Sequence, residues 1–161
     1  MRIGYGYDSH RFEEAVGKPL MLGGVEFVGG RGLMAHSDGD VVIHAVIDAL
    51  LGAAAKGDIG SHFPDTDEKW RGADSKKLLA AVAKELAPAG YRLGNLDITI
   101  ICEKPKILPR VEEMKAALVK CMSALQAEEK KISIKGKTNE KMDDIGSGKG
   151  IEVHCVTLLE E

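Results

Sequence analysis

The chain contains few aromatic residues and few cysteines. Three phenylalanines, three tyrosines and one tryptophan occur among 161 residues, so we expect an aliphatic core and little ring stacking at a ligand site. The three cysteines, Cys102, Cys121 and Cys155, are far apart, and no pair has the CxxC spacing. This pattern argues against a disulfide scaffold and against a thiolate zinc site, and it predicts buried free thiols in a reducing compartment.

An excess of positive charge and long apolar runs are also lacking. The 22 Lys and Arg residues against 25 Asp and Glu give a formal net charge of −3, which argues against nucleic acid as a partner. The longest apolar stretch, 41–55, is interrupted by His44 and Asp48 and is too short to span a bilayer. No signal-peptide pattern opens the sequence. We therefore expect a soluble, cytoplasmic protein without a membrane partner.

Glycine, by contrast, is abundant, with 19 residues, and 44% of the chain is apolar. Together these predict a folded protein with functional loops or close backbone approaches. No repeat or linker divides the sequence, so we predict a single domain over 1–161. Strand-like and helix-like segments alternate, which predicts an α+β fold in which a mixed sheet is covered by helices on one face.

The predicted elements follow from hydrophobic periodicity and capping residues. The predicted strands are 1–10, 20–28 with a glycine bulge at Gly23–Gly24, 95–103, 131–137 and 151–159. The predicted helices run from Ser37 or Asp38 to Ala54, from Asp74 to Gly90 and from Leu108 to Ala127, and residues 138–150 form a glycine-rich loop.

A first candidate site combines the end of the first strand with the first helix. Residues two apart on a strand point to one side, so Asp8 and His10 project together. In the helix, Asp40, His44 and Asp48 lie four apart on one stripe. Imidazole and carboxylate groups are the usual ligands of a catalytic Zn²⁺. The alternatives are a histidine satisfied by protein hydrogen bonds and a stripe that is simply the solvent face.

Two further regions suit a phosphorylated ligand. His36 and Ser37 precede the first helix, whose N-terminal N–H groups attract phosphate, although an ordinary N-cap explains the same run. The acidic loop 58–65 suits sugar or polyol hydroxyls, or else contains turn residues. Lysines at strand ends suit a diphosphate or form a solvated cluster; they are Lys104, Lys106, Lys135, Lys137 and Lys141. Residues 146–150 partly match the P-loop pattern. A predicted strand follows them where a P-loop needs a helix, so we reject that interpretation.

In order along the chain, these segments resemble the 2-C-methyl-D-erythritol 2,4-cyclodiphosphate synthase family. The resemblance extends over essentially the whole chain. Its motifs are Arg2–His10, Ala35–Asp40, His44, Gly57–Gly60, Phe63–Asp67, Gly94–Asp97, Lys104–Pro109 and Thr138–Lys141.

The family resemblance implies a fold, an assembly and a reaction. It implies α+β subunits that form a homotrimer with active sites at the subunit interfaces. The implied enzyme is a phosphorus–oxygen lyase of the non-mevalonate pathway of isoprene biosynthesis. It converts 4-diphosphocytidyl-2-C-methyl-D-erythritol 2-phosphate to 2-C-methyl-D-erythritol 2,4-cyclodiphosphate and CMP, with a plastid location possible where a transit peptide has been removed.

The resemblance also assigns roles by position. Asp8, His10 and His44 match zinc ligands, and Glu140 matches a ligand of a second divalent cation, Mg²⁺ or Mn²⁺. His36 and Thr138 match catalytic residues that support the transition state. The positions that match substrate-binding residues are Ser37, Asp58, Ile59, Gly60, Phe63, Asp65, Cys102, Lys104, Lys106, Ile107, Leu108, Lys137 and Asn139.

Some positions depart from the family pattern. Lys137 and Asn139 stand where many members have threonine. Asp144 and Ser147 stand where many bacterial members have an aromatic residue and an arginine, which line a cavity on the trimer axis that holds isoprenoid diphosphates. We therefore do not expect isoprenoid binding on the axis.

Two other functions remain open at this point. One is a zinc-dependent phosphohydrolase, which needs a metal-bound water and a general base such as Asp40 or Asp65. The other is a trimeric nucleotide-binding module in which the metal is purely structural.

Overall fold

The computed structural model describes residues 1–14, 17–64 and 66–161. In chain order the strands are β1 (Arg2–Arg11), β2 (Met21–Leu22), β3 (Val25–Glu26), β4 (Arg92–Ile101), β5 (Ile132–Lys137) and β6 (Gly150–Glu160). The helices are α1 (Val41–Ala53), α2 (Ile59–His62), α3 (Ser75–Leu86), α4 (Val111–Cys121) and α5 (Asp143–Gly146).

Four strands form a mixed sheet in the order β1-β6-β4-β5. Strand β6 is antiparallel to both β1 and β4, and β5 is parallel to β4. The predicted α+β fold with a mixed sheet is confirmed. The C-terminal ends of β1, β4 and β5 and the start of β6 lie at one end of this sheet, so residues from three distant parts of the sequence meet there.

Helix α1 packs directly on β1 because the strand carries glycine where the helix crosses it. A Cβ atom added to Gly6 would collide with the Ala45 carbonyl oxygen, and one added to Gly4 would collide with the carbonyl of Ala49. All but two of the thirteen residues of α1 are buried, which explains its nearly uniform apolar sequence. This close approach brings the middle of α1 next to the end of β1.

The opposite face of the sheet is uncovered and partly apolar. Ile3, Tyr5 and Tyr7 of β1 are 75%, 59% and 45% exposed. Val156 of β6 pairs with Tyr5 and is 43% exposed, so it lies on the same face. Within 1–14, 17–64 and 66–161, the helices therefore cover one face only, as predicted.

The prediction of one bulged strand over 20–28 is wrong, because residues 21–26 form a hairpin. Gly23 and Gly24 both have positive φ, at 60° and 79°, and two such residues reverse the chain between β2 and β3. Both oxygens of the Asp40 carboxylate bind this turn, accepting the N–H of Gly23 at 2.8 Å and of Gly24 at 2.6 Å.

Asp40 is also the N-cap of α1, and the prediction that the helix starts after Ser37 or Asp38 is wrong. Its Oδ1 accepts the N–H of Ile43 at 3.1 Å, so the helix begins at Val41. Asp40 is 1% exposed. The interpretation of the stripe as a solvent face therefore fails at this residue, which holds the hairpin to the helix.

The remaining predicted elements are present with shifted ends. Helices α3 and α4 are shorter than predicted, because 3₁₀ turns at 87–89, 108–110 and 123–125 flank them. Two four-residue helices, α2 and α5, lie in segments predicted as loops, since one helical turn is too short to show periodicity. Residues 146–150 lead directly into β6, consistent with the rejected P-loop interpretation.

The cysteines are free thiols, with Cys102 and Cys155 buried and Cys121 half-buried. Burial, together with the charge of Glu103, raises the pKa of Cys102 to about 11.

Across the described ranges, no helix combines the length and apolar character needed to cross a membrane.

Candidate active site

Three side chains that could bind a metal meet where β1 ends against α1. One ligand atom from each of Asp8, His10 and His44 lies within 4.8 Å of the other two. The Asp8 Oδ2 atom is 3.0 Å from His44 Nδ1 and 3.6 Å from His10 Nε2. Ligands 2.0–2.1 Å from a tetrahedral zinc ion lie about 3.3 Å apart, and the two distances from Asp8 Oδ2 are close to that spacing.

The hydrogen bonding of His10 shows that this cluster suits a cation. Nδ1 of His10 lies 2.6 Å from the Ser9 carbonyl oxygen, which can only accept, so Nδ1 donates the proton. For a neutral imidazole, Nε2 then carries the lone pair, and this atom lies 3.6 Å from Asp8 Oδ2. Among the described residues this buried Nε2 has no hydrogen-bond partner. Two acceptors that face each other are satisfied by a cation between them, so the residues present fit a bound metal.

The electrostatics at His44 also favour positive charge. Burial disfavours the imidazolium, but the hydrogen bond to Asp8 and the charges of Asp8, Asp40 and Asp38 outweigh it, so the pKa of His44 is raised. The other nitrogen, Nε2, lies 3.1 Å from Ser37 Oγ and 3.0 Å from Ser75 Oγ. Ser75 was not predicted as a site residue, because only the fold brings the start of α3 to α1.

A pocket of about 360 Å³ opens beside the three potential ligands. It contains most of the predicted residues from the first half of the chain. Besides Asp8, His10 and His44, its lining includes His36, Ser37, Asp48, Ile59, Gly60, Phe63 and Trp70. Phe63 and Trp70 meet edge to face with their ring centroids 5.0 Å apart. Trp70 and Asp48 were not predicted as substrate-binding residues. Trp70 could have been noticed because it is the single tryptophan of the sequence.

Two aspartates set the position of α2 at the pocket mouth. Asp48 of α1 accepts the N–H of Ile59 at 2.7 Å, and Asp58 caps the helix by accepting the N–H of Ser61 at 2.8 Å. Burial and the charges of Asp58 and Asp8 raise the pKa of Asp48. The hydrogen bond from Ile59 lowers this pKa, but its effect is the smaller one. The Ser61 hydrogen bonds lower the pKa of Asp58. The predicted substrate residue Asp65 lies outside the described residues.

The predicted residues from the second half of the chain line a different pocket. This pocket of about 120 Å³ lies where β4 and β5 end. Its lining includes Cys102, Lys106, Ile107, Leu108, Lys137 and Thr138. The first pocket lies at β1 and the second at β4 and β5, two to three strand spacings or roughly 10–14 Å across the sheet. Among the residues that the structure describes, the two pockets share none in their linings.

Glu140 and Asn139 lie in the loop that follows β5. Thr138 Oγ1 donates to Glu140 Oε1 at 2.8 Å, and the Asn139 N–H donates to Glu103 Oε1 at 3.1 Å. Glu140, Lys141 and Asp143 all have positive φ, between 48° and 63°. The structure therefore brings Thr138 and Glu140 together but keeps both apart from the Asp8 cluster.

The sequence also matches a known protein family over almost its whole length. The profile of the YgbB family matches residues 1–160. This chain belongs to the YgbB family. The 2-C-methyl-D-erythritol 2,4-cyclodiphosphate synthase of Brachyspira hyodysenteriae is 52% identical over 161 residues, covering 100% of this chain and 99% of that protein. The enzyme of the same name from Alcanivorax borkumensis is 51% identical over 160 residues, covering 99% and 97%.

The fold agrees with solved structures as well. IspF of Plasmodium falciparum in complex with CDP matches this chain with a TM-score of 0.84 at 34% identity, covering 98% of this chain and 94% of that one. The expected resemblance to the cyclodiphosphate synthases is thus confirmed.

The N-terminus of α1 has the ordinary N-cap that explains the run before it, because Asp40 Oδ1 accepts the Ile43 N–H and the Gly39 carbonyl accepts the Val41 N–H. Asp40 is also unsuited as the general base of a phosphohydrolase, since it is buried and both oxygens accept backbone N–H groups.

The predicted lysines are divided among different environments. Lys135 forms an ion pair with Asp97 at 2.6 Å, and therefore belongs to the sheet face. Lys104, Lys106 and Lys141 line a groove of about 870 Å³ next to the second pocket. Their charge thus lies near Thr138 and away from the Asp8 cluster.

Of the four positions that depart from the family pattern, Asp144 and Ser147 lie close together on α5 and its C-terminal turn. Asp144 forms an ion pair with Lys149 at 2.9 Å. The Ser147 hydroxyl donates to the Asp143 carbonyl at 2.6 Å. Both side chains are thus engaged locally.

Proposed function

We propose that this chain converts 4-diphosphocytidyl-2-C-methyl-D-erythritol 2-phosphate to 2-C-methyl-D-erythritol 2,4-cyclodiphosphate and CMP. It is a phosphorus–oxygen lyase of the non-mevalonate isoprenoid pathway. The observation that carries this proposal is the cluster of Asp8, His10 and His44 beside His36 and Ser37, in a chain about half identical to proteins of that name.

Asp8, His10 and His44 bind Zn²⁺ in this proposal, and Glu140 binds a second divalent cation, Mg²⁺ or Mn²⁺. Bound cations supply neutralisation of phosphate charge and polarisation of phosphorus. The borderline N and O donor set of the three residues suits Zn²⁺, whereas a carboxylate in an exposed loop suits a hard cation. Neither role needs a cysteine, which agrees with the burial of Cys102 and Cys155.

The reaction is an intramolecular phosphoryl transfer. An oxygen of the 2-phosphate attacks the β-phosphorus, and the bond from that phosphorus to the bridging oxygen breaks, so CMP leaves with the electron pair. The chain therefore has to fold a flexible substrate and place one phosphate against another, and orientation of this kind lowers a barrier by several kcal/mol, roughly 7–11 in the best cases. No protein nucleophile and no water take part.

The pocket residues have distinct tasks in this arrangement. His36 and Ser37 hold phosphate oxygens, and His36 supports the transition state together with Thr138. Residues 58–60, with Phe63 and Asp65, hold the methylerythritol part through hydroxyl hydrogen bonds. The small pocket at the ends of β4 and β5, with Lys104, Lys137 and Asn139 nearby, takes the cytidine and its phosphates; the CDP in the relative's structure supports this assignment.

The active site is completed by a second copy of the chain, and the assembly is a homotrimer. Two observations support this. The two sets of site residues line separate pockets at different strands of the sheet, roughly 10–14 Å apart, so one copy offers the metal pocket and its neighbour the cytidine pocket. The uncovered apolar sheet face of Ile3, Tyr5, Tyr7 and Val156 is a surface that needs a partner. We assign the protein, as one domain over 1–161, to the cytoplasm.

The test is incubation of the purified protein with the substrate, Zn²⁺ and Mg²⁺ in H₂¹⁸O. Cyclic diphosphate and CMP in equal amounts, both without ¹⁸O, are expected. CMP with the open-chain bisphosphate containing ¹⁸O would show a hydrolase instead. His44→Ala should abolish turnover in a folded assembly, whereas His62→Ala, a histidine on α2 beside Glu85, serves as the matched control with turnover retained. Collapse of the His44→Ala assembly would show that the metal is structural.

A further inference from the structure

We propose that Asp38 and Ser75 are positioning residues, which fix the proton of His44 on Nε2 and so present Nδ1 as the metal-ligand atom. The inference rests on the proposed metal site. Ser75 is the first residue of α3 and is fully buried. Its Oγ lies 3.0 Å from His44 Nε2 and 2.5 Å from Asp38 Oδ1, so a carboxylate, a hydroxyl and an imidazole form one chain of hydrogen bonds.

The acceptor-only carboxylate of Asp38 sets the direction of these hydrogen bonds. Its Oδ2 accepts the Ser75 N–H at 2.9 Å, and its Oδ1 accepts the Asp40 N–H at 3.1 Å. A carboxylate has no proton to give, so the single hydroxyl proton of Ser75 points to Asp38. The Ser75 oxygen can then only accept, and the proton between it and His44 belongs to Nε2.

A proton on Nε2 determines what the rest of the imidazole can do. In the neutral ring, Nδ1 then carries the lone pair, and this atom lies 3.0 Å from Asp8 Oδ2 within the cluster. Hydrogen bonds of this kind to the far nitrogen of a ligating histidine fix its tautomer and ring orientation. The reversed arrangement, with the proton on Nδ1, would place a donor where the metal binds.

The same chain orients Ser37. Its Oγ lies 3.1 Å from His44 Nε2 and accepts the Gly39 N–H at 3.2 Å. With Nε2 protonated, the ring nitrogen has no lone pair to accept the Ser37 hydroxyl, and its single hydrogen is shared between the Ser75 and Ser37 oxygens. The hydroxyl proton of Ser37 is thus left to donate toward the pocket, which is the polarity that a phosphate oxygen requires.

The contact between Ser75 and His44 is more than helix capping. Helix α3 already has an N-cap in Asp74, whose carboxylate accepts the Lys76 N–H at 3.0 Å. The Ser75 hydroxyl is therefore not needed to cap the helix, and it is instead shared between Asp38 and His44.

The first test measures Zn²⁺ affinity of the full chain by competition with a chelator. Ser75→Ala and Asp38→Asn are expected to bind Zn²⁺ about 10- to 100-fold more weakly than the unsubstituted protein. Ser75→Thr restores the hydroxyl and should recover most of that loss. Thr157→Val is the matched control, because it removes another fully buried hydroxyl, bonded to the Asn95 carbonyl at 3.0 Å, far from the cluster. It should lower thermal stability and leave Zn²⁺ affinity unchanged.

The second test reads the proton directly. In Zn²⁺-loaded, ¹⁵N-labelled protein, the His44 ring should show a protonated Nε2 and a metal-bound Nδ1, with His44→Gln identifying the signals. The Asp38→Asn substitution introduces an amide that can donate to Ser75 and reverse the chain of hydrogen bonds, so it should weaken or shift the Nε2–H signal. Zinc on Nε2 in the unsubstituted protein would overturn the inference.

The outcomes separate this inference from the proposed function. Equal Zn²⁺ affinity in the unsubstituted protein, Ser75→Ala and Asp38→Asn overturns the positioning role while the metal site stands. Equal affinity in His44→Gln and the unsubstituted protein overturns the metal site itself and the positioning role with it.

Discussion

Gly6 of β1 packs backbone to backbone against Ala45 of α1. The Cβ atom of any side chain at Gly6 would lie only 1.9 Å from the Ala45 carbonyl oxygen. The contact determines how closely the helix approaches the strand, and therefore how near His44 comes to Asp8. The geometry of the metal cluster thus depends on the absence of a side chain at a neighbouring position of the strand.

Gly6→Ala should destabilise the fold by about 3 kcal/mol, since the added methyl group forces helix and strand apart. Gly52→Ala is the matched control in α1, where a Cβ meets only the Tyr5 carbonyl oxygen at 3.8 Å. It should instead stabilise by about 0.5–1 kcal/mol, because glycine is a poor helix former. Denaturant titration measures both changes. Equal free energies of unfolding for the two variants would contradict the close packing.

Asp40→Ala should cost about 2–4 kcal/mol of stability. It removes the cap of α1 and also leaves the N–H groups of Gly23 and Gly24 without their acceptor. The control is Asp74→Ala at the half-buried cap of α3, where a loss of about 1 kcal/mol is expected. Thermal and denaturant unfolding would provide the comparison. The interpretation fails if the two caps prove equivalent.

Cys121 should be alkylated before Cys102 in the native protein at pH 8. The thiolate is the reactive form, and with the pKa of Cys102 at about 11 only about one thiol in a thousand is ionised at that pH. Cys121 is half-buried, so reagent can reach it, although burial raises its pKa as well. Iodoacetamide labelling followed by peptide mass spectrometry gives the order. Raising the pH toward 11 should accelerate labelling of Cys102. Rapid labelling of Cys102 at pH 8 would contradict the raised pKa of its thiol.

Ile3→Asp should break the proposed homotrimer into smaller species. The substitution puts a charge on the uncovered sheet face, where a neighbouring copy would have to bury it. Val28→Asp is the control, because Val28 is 88% exposed in the segment after β3 and away from that face. Light scattering after gel filtration reports the mass of each variant. Trimers of both variants, or dissociation of both, would contradict the assignment of this face.

Site residues could be predicted from the sequence where their placement depends on the periodicity of a single strand. The alternation in β1 put Asp8 and His10 on one side of the strand, and the structure agrees. His44 could be proposed as a ligand because the resemblance to the family extended to its position. Neither the placement of Asp8 and His10 nor the assignment of His44 required knowledge of how the helices pack on the sheet.

Contacts between distant elements could not be predicted in this way. Ser75 reaches His44 only because α3 begins beside α1, and no spacing along the chain encodes that. Asp40 looked like part of a solvent-facing stripe, since periodicity cannot distinguish a buried cap from an exposed acid. The hairpin of 21–26 was missed because consecutive glycines suit a bulge as well as a turn.

Strand β6 has a consequence for the order in which the protein can be made. It lies between β1 and β4, so neither has its antiparallel partner until residues 150–160 have left the ribosome. During synthesis α1 and the hairpin can associate with β1, but the sheet cannot close. Pairings of such high sequence separation form late and slowly, and the nascent chain exposes unpaired strand edges until then. Protection of these edges by chaperones would therefore matter most until β6 has been synthesised.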